Sequence, residues 1–486
     1  MRKLLSLSLL LALFGGWACT EEIETPVIVA TEDVLFVGGS NVRLSGRLIT
    51  NREVTATDHG FLIAETEAFT SPITISLGTK DGPGRFIGET FGLNIDQQYW
   101  VKAFSEVDGQ QLFGEAITIQ TLSPQLDDFS PSFSRAGEIM TIRGRNLSED
   151  TRVFFGDQEA QIISNQFESR LTVRIPPATG NTLVPIRIQI QGATVEFTQP
   201  FEYQAGRFTR IGQFPESVRI YNTVSFTNQA GFHVGLGSIR LSSAYTKIQR
   251  FDPATDSWTE VNFPGNSRSF AFATSGYLGG GAEELGFNSF SFDQSFFKVN
   301  GSTFERLPDL PFVGREQVAM EINGDLYVMG GIDPGSNQIW KYSPATQSWT
   351  QIGNTPFSVF LGTPHFVYQN KGYVVNTSGE LYEFNPVSNS WTFKAVYPGS
   401  LGEGYGMAAV DGAKAWVGLY RRSQEFFELD LTTFSWKAKN SFEGFPRSIN
   451  LGSFVYQGEI YILRGPEVSV TGDLPLELFK FDPNGL

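Results

Sequence analysis

Four arginines in the C-terminal half of the chain have the chemistry and the placement to bind a ligand. They are Arg219, Arg268, Arg315 and Arg447, and each follows a loop that contains Pro or Gly. An arginine presents planar, paired N–H donors that match a carboxylate or sugar hydroxyls. If the four converge near one axis, they form an anion or glycan site. The alternative is that each guanidinium ties neighbouring elements together through backbone carbonyl groups.

Among the aromatic residues, Tyr405 is the strongest candidate for stacking against a sugar ring. It lies in the segment GEGYG, which has little apolar sequence around it to bury the ring. A second source of exposed rings is the segment that contains Phe287, Phe290 and Phe292. The chain has 43 Phe in all, and most of them are expected to fill the core between sheets.

The sequence offers no constellation of residues for catalysis or for metal binding. His59, His233 and His365 stand apart from acidic residues, so a structural role is expected for each of them. No H-E-x-x-H, G-x-S-x-G or calcium-loop spacing occurs. We therefore predict no catalytic residue, no metal site and no cofactor.

The first residues of the chain, MRKLLSLSLLLALFGGWAC, have the pattern of an export signal. The apolar run from Leu4 to Phe14 is shorter than the roughly 20 residues that a membrane-spanning helix requires. Cys19 is the only cysteine, which excludes an internal disulfide. Residues 1–18 are therefore predicted to be a signal peptide, and residues 19–26 a linker.

The charge balance limits the partners of this protein. The chain has 51 acidic and 36 basic residues, and its formal net charge is −15. Nucleic acids and anionic lipid surfaces attract cationic faces, so neither is an expected partner. Any contact with a membrane must then come from a lipid anchor.

A repeat of a little under fifty residues begins at Arg207 and continues to the end of the chain. Its units include FDPATDSW at Phe251–Trp258, YSPATQSW at Tyr342–Trp349 and FNPVSNSW at Phe384–Trp391. Self-similarity of this period, together with short apolar runs that alternate with polar residues, predicts a β-propeller or a solenoid.

The last repeat unit starts with FDPN at Phe481 but ends before its aromatic residue. The missing piece is present at the other end of the repeat, since FTRIGQFP from Phe208 copies WTQIGNTP from Trp349. We therefore predict that the N-terminal strand completes the last blade and closes the ring. The six predicted outer strands begin at Phe208, Trp258, Phe304, Trp349, Trp391 and Trp436.

The repeats resemble the kelch motif of galactose-oxidase-like central domains. Gly330 and Gly331 follow LYVM as the kelch diglycine does, whereas Asn376 and Thr377 replace it in another repeat. The resemblance implies a six-bladed kelch-like propeller over residues 207–486. The copper site of galactose oxidase requires a Tyr–Cys crosslink, so that chemistry is not expected in a chain with one leader cysteine.

Two further segments precede the propeller, and each is predicted to be a small β-sandwich. Residues 124–203, with the motifs GRNL, VFFG and RIPP, resemble an IPT/TIG domain of the immunoglobulin-like fold. Residues 27–122, with YWVKAF, resemble a fibronectin type III-like module. The predicted fold class is therefore all-β, with two sandwiches followed by a propeller.

The leader resembles that of Bacteroidetes surface lipoproteins. GWAC is similar to a lipobox, which implies lipid attachment at Cys19, and the acidic stretch TEEIE after it resembles a surface-export signal. An outer-membrane lipoprotein that faces the cell exterior is therefore expected. A plain secreted protein and a periplasm-facing lipoprotein are the alternatives.

Together these features predict a non-enzymatic cell-surface binding or adhesion lipoprotein. A glycan or a protein would bind at one face of the propeller. The first alternative is an enzyme similar to kelch-type sialic acid mutarotases or epimerases, which act on a small acidic sugar. The second is a structural scaffold for envelope protein complexes.

Overall fold

The computed structural model of the protein describes residues 25–240, 243–332, 336–402, 404–472 and 474–486. The predicted signal peptide and Cys19 lie outside these residues. Within the described ranges all regular elements are β-strands, and no helix there is long and apolar enough to cross a membrane. The chain forms two compact units, one ending at Glu202 and the other containing Tyr203–Leu486.

The first unit begins with an antiparallel sandwich. Its strands are β1 (Ile28–Val37), β2 (Val42–Ile49), β3 (Thr55–Ala64), β4 (Ile73–Ser76), β5 (Lys80–Asp81), β6 (Gly84–Thr90), β7 (Gln98–Val107), β8 (Gln110–Phe113) and β9 (Ile117–Gln120). One sheet has the order β1-β2-β6 and the other β4-β3-β7-β8, with β5 paired to β3 and β9 to β7. Val42 and Leu44 of β2 are buried while Arg43 is exposed, as the two-residue period of a strand requires.

The second sandwich occupies the rest of the first unit. Its strands are β10 (Gln125–Ser130), β11 (Phe133–Ser134), β12 (Ile139–Arg145), β13 (Arg152–Phe155), β14 (Gln158–Gln166), β15 (Arg170–Arg174), β16 (Leu183–Val184), β17 (Ile186–Ile190), β18 (Ala193–Glu196) and β19 (Phe201–Tyr203). The sheets have the orders β10-β12-β15-β14-β13-β17-β18 and β11-β19-β16. Ile142, Phe155, Val173 and Ile188 are fully buried or nearly so and form its core.

The second unit is a six-bladed propeller. Its strands are β20 (Arg207–Gln213), β21 (Val224–Asn228), β22 (Gly231–Gly235), β23 (Ser238–Arg240), β24 (Ser243–Ala244), β25 (Ile248–Asp252), β26 (Ser257–Val261), β27 (Phe272–Ala273), β28 (Tyr277–Gly279), β29 (Ala282–Gly286), β30 (Ser289–Phe292), β31 (Phe296–Asn300), β32 (Thr303–Leu307), β33 (Val318–Ile322), β34 (Asp325–Met329), β35 (Gln338–Ser343), β36 (Ser348–Asn354), β37 (His365–Tyr368), β38 (Lys371–Val375), β39 (Glu380–Asn385), β40 (Ser390–Val396), β41 (Met407–Asp411), β42 (Lys414–Gly418), β43 (Phe426–Asp430), β44 (Trp436–Ala438), β45 (Ser448–Tyr456), β46 (Glu459–Pro466) and β47 (Glu477–Asp482).

Each blade is a four-stranded antiparallel sheet. From the channel outward, blade I is β21-β22-β25-β26, blade II is β27-β28-β31-β32, blade III is β33-β34-β35-β36, blade IV is β37-β38-β39-β40, blade V is β41-β42-β43-β44 and blade VI is β45-β46-β47-β20. Two hairpins, β23-β24 and β29-β30, extend the loops between the second and third strands of blades I and II. The blade count agrees with the prediction from the repeat.

The ring closes as the repeat predicts, because the first strand of the propeller completes the last blade. β20 pairs with β47, with Phe208 opposite Phe481 and Arg207 opposite Asp482. The rings of Phe208 and Phe481 lie 4.5 Å apart between centroids. This pairing joins the two ends of the ring, and it gives blade VI its fourth, outermost strand, so β47 is not left as an unpaired edge strand.

The Asp-Pro-like motif of the repeat makes the turn between the third and fourth strands of a blade. The Asp252 side chain accepts a hydrogen bond from the Ala254 backbone N–H at 2.9 Å, and Asn385 accepts one from Val387 at 3.0 Å. Such side-chain to backbone bonds stabilise a turn locally. The same side-chain to backbone bond forms at this turn in blades I, IV and V, which accounts for the recurrence of the motif there.

Candidate functional site

The innermost strands of the six blades enclose an axial channel that contains a cavity of about 250 Å³. The residues just before these strands or at their start line it on one face of the propeller, which we call the mouth. They include Asn222, Gln317, Thr363, Tyr405 and Asn450. The loops that join the second and third strands of each blade open on the same face, since successive strands are antiparallel.

A sharp backbone bend recurs at the mouth, two residues before the innermost strand. Asn222, Phe270, Glu316 and Tyr405 have φ values of 53°, 62°, 63° and 54° there. The Phe270 N–H donates to the Asn222 carbonyl at 2.9 Å, and the Glu316 N–H donates to the Phe270 carbonyl at 3.0 Å. Positive φ is uncommon in bulky residues. Its recurrence shows that the bend belongs to the architecture of the repeat.

Three arginines converge on one buried carboxylate beside the mouth. Arg421 Nε donates to Glu467 Oε2 at 2.7 Å, Arg422 Nη2 donates to Oε1 at 3.0 Å, and Arg447 Nη2 donates to Oε1 at 2.7 Å. The Glu467 side chain is 1% exposed, whereas those of Arg422 and Arg447 are 40% and 50% exposed. We call these four residues the arginine cluster. Three guanidinium groups and one carboxylate give it a net formal charge of +2.

The arginines determine the protonation state of Glu467. The hydrogen bond from Arg422 has the largest effect, and it holds the pKa of the carboxyl well below its usual range. Burial acts in the opposite direction but is outweighed by the hydrogen bonds from Arg422, Ser469, Arg421 and Arg447. Glu467 is therefore ionised at neutral pH, and it orients the three guanidinium groups.

The arginine cluster lies at the seam between blades V and VI, next to Tyr405. The Arg421 backbone N–H donates to the Gly404 carbonyl at 2.8 Å, and the Glu467 N–H donates to the Arg447 carbonyl at 2.9 Å. These bonds attach the loops that carry the cluster to the segment before the innermost strands. The positive charge is thus held beside the channel rather than on the outer rim.

Tyr405 is held in place by its neighbours and lines the channel cavity. Asn450 Nδ2 donates to the Tyr405 carbonyl at 2.9 Å, and a Cβ at Gly362 would lie only 2.7 Å from the Tyr405 Cα. Burial, with a smaller contribution from the charge of Glu316, raises the pKa of the Tyr405 phenol to about 12. The hydroxyl is therefore protonated at neutral pH.

Arg315 and Glu316 form a second charged pair at the mouth. Arg315 Nη1 lies 2.7 Å from Glu316 Oε1, and the two side chains are 14% and 9% exposed. The Arg315 guanidinium also lies 4.2 Å from the centroid of the Phe290 ring, which is part of the blade II hairpin. Burial raises the pKa of the Glu316 carboxyl although Arg315 acts against it.

The guanidinium groups of two of the predicted arginines, Arg268 and Arg219, are engaged in contacts within the propeller. Arg268 is 0% exposed; it donates to the Gly280 carbonyl at 3.2 Å and to Ser295 Oγ at 2.6 Å, and it pairs with Asp293 at 3.1 Å. All three partners belong to its own blade, and the burial leaves a ligand no access to the guanidinium. The prediction of ligand contact therefore does not fit Arg268.

For Arg219 the structure agrees with the alternative interpretation, in which the guanidinium connects neighbouring blades through backbone carbonyl groups. Its two terminal nitrogens donate to the carbonyls of Val470 and Gly472, each at 3.0 Å. Arg219 precedes blade I, and these carbonyls belong to a loop of blade VI. Of the five predicted ligand-binding residues, Arg315, Arg447 and Tyr405 lie at or beside the mouth with access to solvent.

Sequence reasoning missed Arg421, Arg422, Glu316 and Glu467. The Arg421–Arg422 pair did leave a signal, because it follows the second strand of a blade that lacks the kelch diglycine. That position opens on the same face as the predicted arginines. Glu467 has no such signal, since its loop between the second and third strands of blade VI differs in sequence from the equivalent loops, and its partners Arg421 and Arg422 belong to blade V.

The histidines have partners within the protein, and His233 Nε2 lies 3.0 Å from Ser302 Oγ of blade II. His233 stacks on Phe226 at 4.6 Å, and burial lowers its pKa to about 4. His365 Nδ1 lies 2.8 Å from the Thr363 carbonyl, and burial lowers its pKa as well. In the described part of the chain no three His, Cys, Asp or Glu side chains form a group that could hold a metal ion.

Family models match two segments of the chain. The family model for the IPT/TIG domain matches residues 124–203, and that for the kelch motif matches residues 317–356. No curated protein matches the sequence.

Two solved structures are similar to parts of the chain. YjhT is 17% identical, with a TM-score of 0.43 over 55% of this chain and 95% of its own. A structural genomics protein of unknown function from Bacteroides thetaiotaomicron is 12% identical, with a TM-score of 0.39 over 74% of this chain and 97% of its own. The chain therefore contains an IPT/TIG domain and a β-propeller with a kelch motif.

Proposed function

We propose that this protein is a non-enzymatic binding protein whose propeller mouth takes a carboxylated glycan. The observation that carries the proposal is the arginine cluster, which places a net charge of +2 beside the channel of a protein whose net charge is −15. Such a local reversal of charge attracts an anion to one place on the surface.

The arginine cluster suits a carboxylate better than a diffuse anionic surface. Guanidinium groups donate in a planar fork that matches the two oxygens of a carboxylate. Glu467 holds Arg422 and Arg447 in fixed orientations while 40% and 50% of their side chains stay exposed. Preorganised donors bind with less loss of side-chain entropy than flexible ones.

Tyr405 could contact the sugar ring of such a ligand while the arginines bind its carboxylate. Its hydroxyl is a hydrogen-bond donor at neutral pH because its pKa is about 12. Its ring presents an apolar surface next to polar groups, the combination found in small-ligand sites. Arg315, which precedes blade III, and Phe290 of the blade II hairpin provide a further charged and aromatic wall.

We expect Arg447→Gln to weaken binding of N-acetylneuraminic acid and sialyllactose by at least about tenfold, since a charge-assisted hydrogen bond contributes about 1.5–3 kcal/mol. Calorimetry with the purified protein measures the affinity, and lactose is the neutral comparison ligand. Arg210→Gln is the matched control, because Arg210 is similarly exposed but pairs with Glu477 on the outer strands of blade VI. An unchanged affinity in Arg447→Gln would contradict the proposal.

A second experiment separates binding from catalysis. Glu316 favours the second candidate, an acidic-sugar mutarotase or epimerase, because burial raises the pKa of this carboxyl at the mouth. Proton NMR of the anomers of N-acetylneuraminic acid decides between the two. Acceleration that is lost in Glu316→Gln would identify an enzyme, and an unchanged exchange rate would leave the binding protein. If no saccharide binds, the structural scaffold replaces both.

We further propose that the protein is an outer-membrane lipoprotein anchored through Cys19 and exposed on the cell exterior. The support is the leader pattern and the acidic stretch that follows it. Cys19→Ser is expected to move the protein from the membrane fraction to the soluble fraction, as seen by immunoblotting. Protease treatment of whole cells should degrade the wild-type protein, and complete protection would instead indicate the periplasmic side.

A further inference from the structure

A second and larger cavity, of about 940 Å³, lies where the closing blade meets the first blade. It is lined by the connection between β20 and β21, by the blade I hairpin, by Glu284 of the blade II hairpin and by the loop of blade VI that contains Val468 and Leu474. Its volume is within the range of about 300–1,000 Å³ that small-molecule sites occupy. Asn222 lines both this cavity and the channel mouth, so the two are neighbours.

The walls of this cavity are about half apolar and half polar, and the apolar part is continuous with exposed side chains of the blade VI loop. Phe214 and Ile239 line its inner part, while Val468 and Leu474 line it with side chains that are 68% and 38% exposed. Large exposed apolar side chains are costly in water when they cluster around one concave surface. The cavity therefore favours a ligand with an apolar body.

Two carboxylates, Glu284 and Glu216, are among the polar groups of the wall, and Glu216 is paired with Lys247 at 3.3 Å. Glu284 Oε2 accepts a hydrogen bond from Ser238 Oγ at 2.8 Å, and no described residue forms an ion pair with Glu284. Glu216 accepts hydrogen bonds from the Tyr245 hydroxyl at 2.9 Å and from Gln249 at 3.0 Å, both at Oε1. Glu284 thus contributes a negative charge that no ion pair with a described residue offsets.

The one arginine of the cavity wall is engaged in building it. Arg219 donates through both terminal nitrogens to the carbonyls of Val470 and Gly472. Its guanidinium therefore holds the blade VI loop against the connection between β20 and β21. An anion would have to displace those bonds, whereas a cation would meet Glu284 directly.

We propose that this cavity is a ligand site distinct from the channel mouth, and that it takes an amphipathic cation. In such a ligand an ammonium or guanidinium group is attached to an aliphatic or aromatic body. The cation pairs with Glu284, and the body lies against Ile239 and Leu474. The inference does not depend on the function proposed for the mouth, because the two sites differ in their residues apart from Asn222 and in the sign of the charge they bind.

Phenethylammonium is the probe for this site, and 2-phenylethanol is its neutral counterpart. We expect saturable binding of the amine by calorimetry or ligand-detected NMR, and a loss of at least about tenfold in affinity in Glu284→Gln. Binding of 2-phenylethanol should be the same in both proteins. Glu283→Gln is the matched control, since Glu283 is exposed, belongs to the same hairpin and does not line the cavity.

Leu474→Trp gives a test that does not involve Glu284. The larger side chain fills part of the cavity from an exposed position, so both probes should lose binding while the melting temperature stays unchanged. Arg447→Gln should leave amine binding intact, which separates this site from the mouth. Absence of saturable amine binding to the wild-type protein, or equal affinity in Glu284→Gln, would overturn the proposal.

Discussion

Replacing Glu467 by glutamine is expected to lower the free energy of unfolding of the propeller by about 3 kcal/mol at neutral pH. The Glu467 side chain is 1% exposed and accepts hydrogen bonds from Arg421, Arg422 and Arg447. The substitution leaves three guanidinium groups next to one another without the carboxylate that joins them. Urea denaturation followed by tryptophan fluorescence measures the change.

The pH dependence gives this prediction a second readout. The folded pKa of Glu467 lies below its ordinary value of 4.5, so its contribution is fully present above about pH 4.5 and is lost as the pH falls toward the folded value. The difference between wild type and Glu467→Gln should therefore shrink on acidification below pH 4.5. A difference that stayed constant down to pH 3 would show that the ion pairs do not stabilise the fold.

A matched control for Glu467 exists on the outer strands. Glu477 also pairs with an arginine, Arg210, but the two side chains are 30% and 51% exposed. Solvent screens an ion pair of this kind, and such pairs contribute about 0–1 kcal/mol. Glu477→Gln should thus lower the free energy of unfolding by less than about 1 kcal/mol. If the two substitutions had equal effects, burial would not be what distinguishes them.

Phe481→Ala is the second substitution with a large expected effect, because it weakens the closure of the ring. Phe481 is 0% exposed, and its ring lies 4.5 Å from that of Phe208 and 4.9 Å from that of Phe426. Truncating a fully buried Phe costs about 3–5 kcal/mol, from lost burial and from the cavity left behind. The loss should appear as an earlier unfolding midpoint of the propeller in urea.

Phe393→Ala is the matched control, because it removes an aromatic ring that is not buried. Phe393 lies on the outer strand of blade IV and is 49% exposed, so its truncation should cost less than about 1 kcal/mol. A cost for Phe481→Ala as small as that for Phe393→Ala would mean that the closing strand adds little to the stability of the ring. Thermal melting of both variants provides an independent comparison.

Much of the fold was predictable because it follows from local patterns. The alternation in β2 places Leu44 inside and Arg43 outside, and the turn of Asp252 recurs at the corresponding position of blades IV and V. Phe208 could be placed against Phe481 because the two ends of the repeat complement one another. These features depend on a period of two residues or on a repeated unit, and both are visible in the sequence.

The site was predicted less completely, since its side chains come from loops of different lengths. Arg268 and Arg447 both precede an innermost strand, yet one is 0% exposed and the other 50%. Arg421 and Glu467 are 46 residues apart and meet only across the seam between two blades. The repeat period does not determine the direction of a side chain in a loop, so the contact between Arg421 and Glu467 could not be predicted from the sequence.

The sequence by itself determined the all-β class, the number of blades, the pairing that closes the ring and the single cysteine. Each of these is a matter of counting, alternation or complementary ends. Only the tertiary structure decided which arginines bind carboxylates, which tie blades together and where the cavity beside Glu284 lies. Those outcomes depend on burial and on contacts between blades, and both arise only when the ring has closed.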